Sequence, residues 1–128
     1  MRDISVIIIN YNTAKYTIDC IKSVIKFTDK AINFEIIVID NNSKADDYSY
    51  LKANFPKQDH TMLHRSPINT GFGGGNMLGV QFANAKYLLF LNNDAMVQND
   101  CLSILYNYMQ THDDVGVSTA QNYDEHGK

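Results

Sequence analysis

Three polar clusters in this sequence carry side chains that could bind a ligand, and each follows a strongly apolar run. They are Asn10–Asn12, Asp40–Ser43 and Asn92–Asp94. Their carboxylate, amide and hydroxyl groups can form hydrogen bonds with a ligand. Asn, Asp and Ser also end strands and cap helices in proteins of every kind, so one cluster alone would be weak evidence. Three clusters in equivalent places favour a binding site.

A glycine-rich segment, Asn69–Gly79, is the fourth feature that could bind a ligand. A glycine-rich loop that leads into a helix can contact phosphate, because the backbone N–H groups and the helix dipole favour anions. The segment lacks the GxGxxG spacing, since Asn76 stands where the third glycine would be, and it does not follow the first strand. A flexible loop with tight turns explains the glycines equally well.

The apolar runs before the clusters predict parallel strands covered on both faces, because they are rich in Ile, Val, Phe and Tyr and barely alternate with polar residues. The three strong runs are Ile4–Ile9, Phe34–Ile39 and Tyr87–Leu91. Thr61–His64 is a weaker candidate strand, and Val115–Ser118 is a short last one.

Helical patterns lie between the strands. The first begins near Thr13 or Thr17 as cap, and its apolar face is Ile18, Ile21, Val24 and Ile25. The others are Ser43–Phe55 with Ser43 as cap, Asn76–Ala85, and Asp100–Thr111. This alternation predicts an α/β fold, a three-layer sandwich with a mostly parallel central sheet. The carboxyl ends of parallel strands share one edge, where such sheets bind ligands, so the polar clusters should meet there.

Composition narrows the classes of function. The 128 residues suit one domain, 1–128, and the net charge of −3 argues against a general nucleic-acid binder. There is no P-loop and no GxSxG motif, the four histidines lack zinc-site spacing, and no 18-residue apolar run is present. Cys20 and Cys101 are expected to be reduced thiols, although their spacing leaves a disulfide open.

Taken together, the segments resemble the N-terminal, nucleotide-sugar-binding part of a family 2 glycosyltransferase with the GT-A type of fold. The matching segments are SVIIINYNTAKYTIDCIKSV, FEIIVIDNNS, NTGFGGGNMLG, KYLLFLNNDAMV and DDVGVSTAQNYDEHGK. They occur in the family's order and span nearly the whole chain. The glycine-rich segment is most similar to the rhamnosyltransferase branch of surface-polysaccharide synthesis.

The resemblance implies a donor site made of residues at the strand ends and the glycine-rich segment. The implied nucleotide contacts are Ile9, Asn10, Tyr11, Asp40, Asn42, Asn69, Gly71, Gly75, Asn76, Asn92 and Asn93. Among them, Asp40 is implied to hydrogen-bond the base. Asp94 falls on the family's D-x-D motif and is implied to bind Mg²⁺ or Mn²⁺ that bridges the diphosphate of a UDP-, dTDP- or GDP-sugar. The implied acceptor is a glycan or a lipid-linked hydroxyl, and the implied location is cytoplasmic, compatible with peripheral association at the inner face of the membrane.

Two departures from the family pattern qualify this expectation. Asn92 replaces the first Asp of D-x-D, so the site lacks one charge. The family's general base, which would drive an inverting displacement, falls in a segment expected beyond Lys128, so no catalytic residue is assigned. The chain is therefore expected to be a truncated donor-binding half that is inactive alone.

Two other functions compete with this one. The first is a noncatalytic nucleotide-binding module that retains the fold, which the Asn92 replacement favours. The second is a nucleotidyltransferase, which would carry its glycine-rich loop after the first strand. This sequence has Tyr11–Lys15 there instead, so this alternative is disfavoured.

Overall fold

The computed structural model describes residues 1–124 and 126, in which four strands and four helices alternate. The strands are β1 (Arg2–Asn10), β2 (Phe34–Asp40), β3 (Thr61–Arg65) and β4 (Ala85–Phe90). The helices are α1 (Ala14–Phe27), α2 (Ala45–Asn54), α3 (Gly71–Phe82) and α4 (Cys101–Thr111). This confirms the predicted α/β class.

The strands form one sheet in the order β3-β2-β1-β4, and each neighbouring pair is parallel. The sheet separates two apolar clusters. On one face, side chains such as Val6 and Ile8 pack against α1, Leu51 of α2 and Leu102 of α4. On the other face, residues such as Ile7 pack against α3. The three layers explain why β1 and β2 are mostly apolar with little alternation, since both of their faces are buried along most of their length.

Strand β4 differs from the prediction that both faces of Tyr87–Leu91 are covered. It lies at the edge of the sheet, and Leu88 and Phe90 are 42% and 49% exposed. Phe90 pairs with Ile7 in the register, so it faces the same side as α3. Helix α3 packs over β1 and β2, and this side of β4 therefore stays uncovered in the described chain.

The predicted strand Val115–Ser118 is also wrong, because these residues form irregular structure. The run is too short to be held without a neighbouring strand, and β4 pairs only with β1 in the described part of the chain. Helix α4 begins after Asp100, whose side chain accepts a hydrogen bond from the backbone N–H of Ser103. None of the helices in residues 1–124 is long and apolar enough to cross a membrane.

Candidate functional site

Hydrogen bonds between buried side chains join the carboxyl ends of β1, β2 and β4. Asn10 Nδ2 donates to Asp40 Oδ1 at 2.9 Å, and Asn10 Oδ1 accepts from Thr17 Oγ1 at 2.6 Å. Thr17 Oγ1 in turn accepts from Asn93 Nδ2 at 3.0 Å. The three polar clusters therefore lie together at one edge of the sheet. Their roles in ligand binding remain predictions.

The carboxylate of Asp40 is fully buried and bonded within the protein. Besides Asn10, Oδ1 accepts from Ser43 Oγ at 2.6 Å and Oδ2 accepts from Ser43 N at 3.1 Å. The guanidinium of Arg65 lies 3.8 Å from Oδ2. Because the carboxylate is fully buried, the predicted contact of Asp40 with a base would require neighbouring side chains at the edge to move.

Ser43 does not cap α2, contrary to the prediction. The residue before α2 is Lys44, which makes no side-chain cap bond. Ser43 is engaged in the edge cluster instead, since its hydroxyl accepts from the backbone N–H of Asn12 at 2.9 Å while it donates to Asp40. The bonds of the hydroxyl to Asn12 and Asp40 take the place of the predicted cap bond.

The start of α1 is held by a residue of another helix. Thr13 precedes α1 but its side chain makes no cap bond. Asp47 of α2 accepts from the backbone N–H of Ala14 at 3.0 Å and also from Asn10 Nδ2 at 3.0 Å. Asp47 thus satisfies the helix N-terminus from outside, and no local sequence pattern predicted this.

Two asparagines shape the turns after β1 and β2. Asn12 has φ of 56° and Asn42 has φ of 63°, in the left-handed region that Asn tolerates better than most residues. The turns leave Tyr11 half exposed and Asn42 exposed, while Ile9 is buried beneath the edge. Tyr11 and Asn42 are accordingly the predicted contacts at these two strand ends that a ligand can reach directly.

The glycine-rich segment is the first part of α3 and not a loop before it. The helix begins at Gly71, with φ of +75°, so Asn76 lies inside the helix and does not open it. Asn69 Oδ1 accepts from the backbone N–H of Gly71 at 2.8 Å. A side chain at Gly75 would come within 3.1 Å of Ile9 Cδ1, so the glycine lets α3 approach the end of β1.

Asn41 is a residue of the site that sequence reasoning missed. Its Nδ2 donates to Gly71 O at 2.8 Å, and its Oδ1 accepts from the backbone N–H of Thr70 at 3.1 Å. It thereby fastens the start of α3 to β2. Strand alternation was the available signal: Asp40 lies on the α1 side, so the next residue points toward α3.

The segment after β4 presents its polar residues to solvent. Asn92 and Asp94 are exposed, whereas Asn93 is partly buried against α1. Cys20 of α1 donates from Sγ to Asn92 O at 3.7 Å. Burial, and secondarily the negative charge of Asp94, raises the pKa of the Cys20 thiol to about 12.

The fit of a divalent cation depends on Asp94. In the described residues no three His, Cys, Asp or Glu side chains cluster as a metal site. Mg²⁺ commonly takes only one or two carboxylates and completes its shell with substrate phosphates and water. One exposed carboxylate at the strand end fits that kind of site and does not fit a cation cage built from protein ligands alone.

The structure is an α/β protein with an open parallel sheet whose polar side chains gather at the carboxyl ends of the strands, where sheets of this kind bind ligands. Residues 5–127 match the family model described as Glycosyl transferase family 2. The chain therefore belongs to glycosyltransferase family 2.

Relatives agree with this assignment. Glycosyltransferase GlyG of Streptococcus pneumoniae is 32% identical over 125 residues, covering 95% of this chain and 40% of that protein. An uncharacterized glycosyltransferase of Rickettsia conorii is 38% identical over 107 residues, covering 84% of this chain and 17% of that protein. The chain thus spans 40% or less of the length of these relatives.

A solved structure shows the same fold. Staphylococcus aureus TarS, residues 1–349, superposes with a TM-score of 0.74 at 19% identity, covering 96% of this chain and 40% of that one. TarS has also been solved in complex with UDP and with UDP-GlcNAc. At this identity the likeness shows a common GT-A architecture.

Proposed function

We propose that this chain is the donor-binding half of a glycosyltransferase that moves a sugar from a nucleoside diphosphate to a hydroxyl of a glycan or lipid-linked acceptor. The supporting observation is the continuous set of hydrogen bonds from Asn93 through Thr17 and Asn10 to Asp40, which unites three strand ends in a chain of this family. These bonds join the strand ends in one arrangement, as orienting a donor would require.

A UDP-sugar is the favoured donor, because the TarS structures with this fold hold UDP and UDP-GlcNAc. dTDP- and GDP-sugars remain donors to be tested. The glycine-rich segment suggests rhamnosyl transfer by resemblance, whereas TarP, a relative at 26% identity, is named as an N-acetylglucosaminyltransferase. A lipid-linked acceptor would place the protein at the inner face of the membrane.

Exposed residues at the edge would contact the donor. Tyr11 and Asn42 flank the two turns at which the base and ribose would lie. The first turn of α3 presents backbone N–H groups near the end of β1, where an anion is favoured. Asp94 would hold Mg²⁺ or Mn²⁺, and such a cation neutralises the charge that develops on the departing diphosphate. Inverting transfer also needs a general base, which we assign to no residue of 1–128.

Calorimetric titration of the full-length protein with UDP, dTDP and GDP, each with and without Mn²⁺, tests the proposal. We expect one of the nucleotides to bind, and to bind more tightly with Mn²⁺. Asp94→Ala should remove the gain due to Mn²⁺, whereas Tyr11→Ala should weaken binding with and without the metal. A folded protein that binds none of the three nucleotides would refute the proposal.

A noncatalytic nucleotide-binding module is the second candidate. Asn92 stands where the family's D-x-D motif has an acidic residue, so Asp94 is the carboxylate among residues 92–94. This replacement favours a module that binds the nucleotide without catalysis. An assay for sugar transfer by the full-length protein separates the two, because the module would bind the nucleotide and form no product.

A further inference from the structure

Two threonines hold the side chain of Asn93: Thr13, which directly precedes α1, and Thr17, which lies in its first turns. Asn93 Nδ2 donates to Thr13 Oγ1 at 2.6 Å and to Thr17 Oγ1 at 3.0 Å. The threonines are four residues apart, so their hydroxyls lie one above the other on one face of the helix. Each of the two amide hydrogens of Asn93 thus has its own acceptor.

The direction of these bonds is fixed by the buried partner of Thr17. A hydroxyl has a single proton to donate. Thr17 is fully buried and donates its proton to Asn10 Oδ1 at 2.6 Å, so toward Asn93 it can only accept. Asn10 then donates to Asp40. The amide of Asn93 is therefore oriented by a chain of donors that continues into the ends of β1 and β2.

The segment that follows β4 has few other bonds to the protein. Its last backbone bond to β1 runs from Leu91 N to Ile7 O at 3.0 Å. The next backbone anchor is Val97, whose N–H donates to Ser23 Oγ of α1 at 3.1 Å. Between these two points the described bonds to the rest of the protein are those of Asn93 and the long one from Cys20 to Asn92 O.

We propose that Thr13 and Thr17 are positioning residues: they fix Asn93, and through it they set Asp94 relative to the nucleotide edge. This inference rests on the proposed function, because it assigns Asp94 to the diphosphate end of that site. The threonines touch neither nucleotide nor metal. They hold residues 92–94 in one conformation before the ligand arrives, which lowers the ordering cost of metal-assisted binding.

The test uses the full-length protein with Thr13→Val and Thr17→Val combined, which keeps the side-chain shape and removes both hydroxyls. Thr13→Ser with Thr17→Ser restores them. The matched control is Thr28→Val at the other end of α1, where a buried threonine hydroxyl donates to Val24 O at 2.6 Å. Two readouts are taken: hydrogen exchange of the backbone of residues 92–95 without ligand, and the gain in UDP affinity due to Mn²⁺.

We expect the double valine variant to exchange faster at residues 92–95. Its Mn²⁺-dependent gain in UDP affinity should be about tenfold smaller, as the loss of the two hydrogen bonds to Asn93 implies. This reduction should exceed any change in UDP affinity without metal. The serine pair should behave as the parent, and so should Thr28→Val after correction for global stability.

Unchanged exchange and an unchanged Mn²⁺ gain in the double valine variant would overturn the inference. If that variant does not fold, the single variant Thr13→Val is tested by the same two readouts. Thr13 is exposed, so the protein should tolerate this substitution. If the parent binds no nucleotide, the proposed function fails and the metal-positioning role falls with it. The exchange readout then still shows whether the threonines hold the segment.

Discussion

Asn10 and Asp40 end adjacent strands as partners in the register, and Asn10 Nδ2 donates to Asp40 Oδ1 at 2.9 Å with both side chains fully buried. A carboxylate in this position has several donors around it, from Asn10, Ser43 and Arg65. Removing it would take one acceptor from each of these donors. Asp40 is thus a structural residue of the edge, whatever it also contributes to a ligand.

Asp40→Ala should lower the free energy of unfolding by roughly 2–4 kcal/mol, because it removes a buried acceptor from Asn10 and Ser43 and the carboxylate beside Arg65. Chemical denaturation measures the effect. Asp113→Ala, which removes an exposed carboxylate after α4, is the control and should change stability by no more than about 0.5 kcal/mol. Equal stabilities for the two variants would contradict the structural role of Asp40.

Gly79→Ala should destabilise the protein by about 1–3 kcal/mol through overpacking. A Cβ at Gly79 would lie 2.6 Å from Ile7 Cγ2, so α3 would have to move away from β1. Gly73→Ala is the matched control in the same helix, since its Cβ would meet nothing within 4 Å. It should be neutral or stabilising by up to about 1 kcal/mol, as alanine favours helix. Thermal unfolding compares the two variants, and the opposite order of stabilities would refute this packing.

Apolar periodicity and strand composition were sufficient to predict the sheet and the alternation of helices. The run of Ile4–Ile9 is buried on both faces, as a β-branched run with a single polar residue, Ser5, predicts. The same argument failed for Leu88 and Phe90, because coverage depends on which helix lies over an edge strand and not on the strand itself. Val115–Ser118 failed for a similar reason, since a strand needs a partner.

The meeting of the polar clusters followed from parallel topology, but the partner of each side chain did not. Ser43 is predicted from local sequence to cap α2 and Asp47 carries no prediction, yet both bond residues about thirty positions away. The sequence predicts a loop over the glycine run, and the low helix propensity of glycine gives no local signal for the helix that is found there. Contact of Gly75 and Gly79 with β1 overrides that preference, since a close approach there needs residues without side chains.

The thiol of Cys20 should resist alkylation in the native protein. Burial, together with the charge of Asp94, raises its pKa to about 12, so the reactive thiolate is scarce at pH 8. A Cys101→Ser background removes the other thiol. Iodoacetamide labelling followed by mass spectrometry should show modification only as the protein unfolds. Rapid labelling of the folded protein at pH 8 would show that Cys20 is accessible.

The same raised pKa has a consequence for stability. The unfolded thiol ionises near pH 8.5, whereas the folded one holds its proton to about pH 12. Between these values the folded state binds more protons, so stability falls as pH rises, by up to about 1.4 kcal/mol per pH unit. In the Cys101→Ser background, denaturation at pH 8, 9 and 10 should give a steeper fall than in the same background with Cys20→Ala. Parallel pH profiles would exclude the effect.

Asn92→Asp should tighten Mn²⁺ binding in the presence of UDP. Asn92 and Asp94 are both exposed and two residues apart, so the change adds a second carboxylate to a segment that now offers one. Tenfold tighter binding, about 1.4 kcal/mol, is a reasonable expectation for one added charge near a partly exposed cation. Titration of Mn²⁺ at saturating UDP measures it. Gln98→Glu adds the same charge at a nearby exposed position and controls for the effect of the protein's overall negative charge on Mn²⁺ binding. If both variants tighten Mn²⁺ equally, the cation responds to overall charge, and the assignment of this segment as its ligand is wrong.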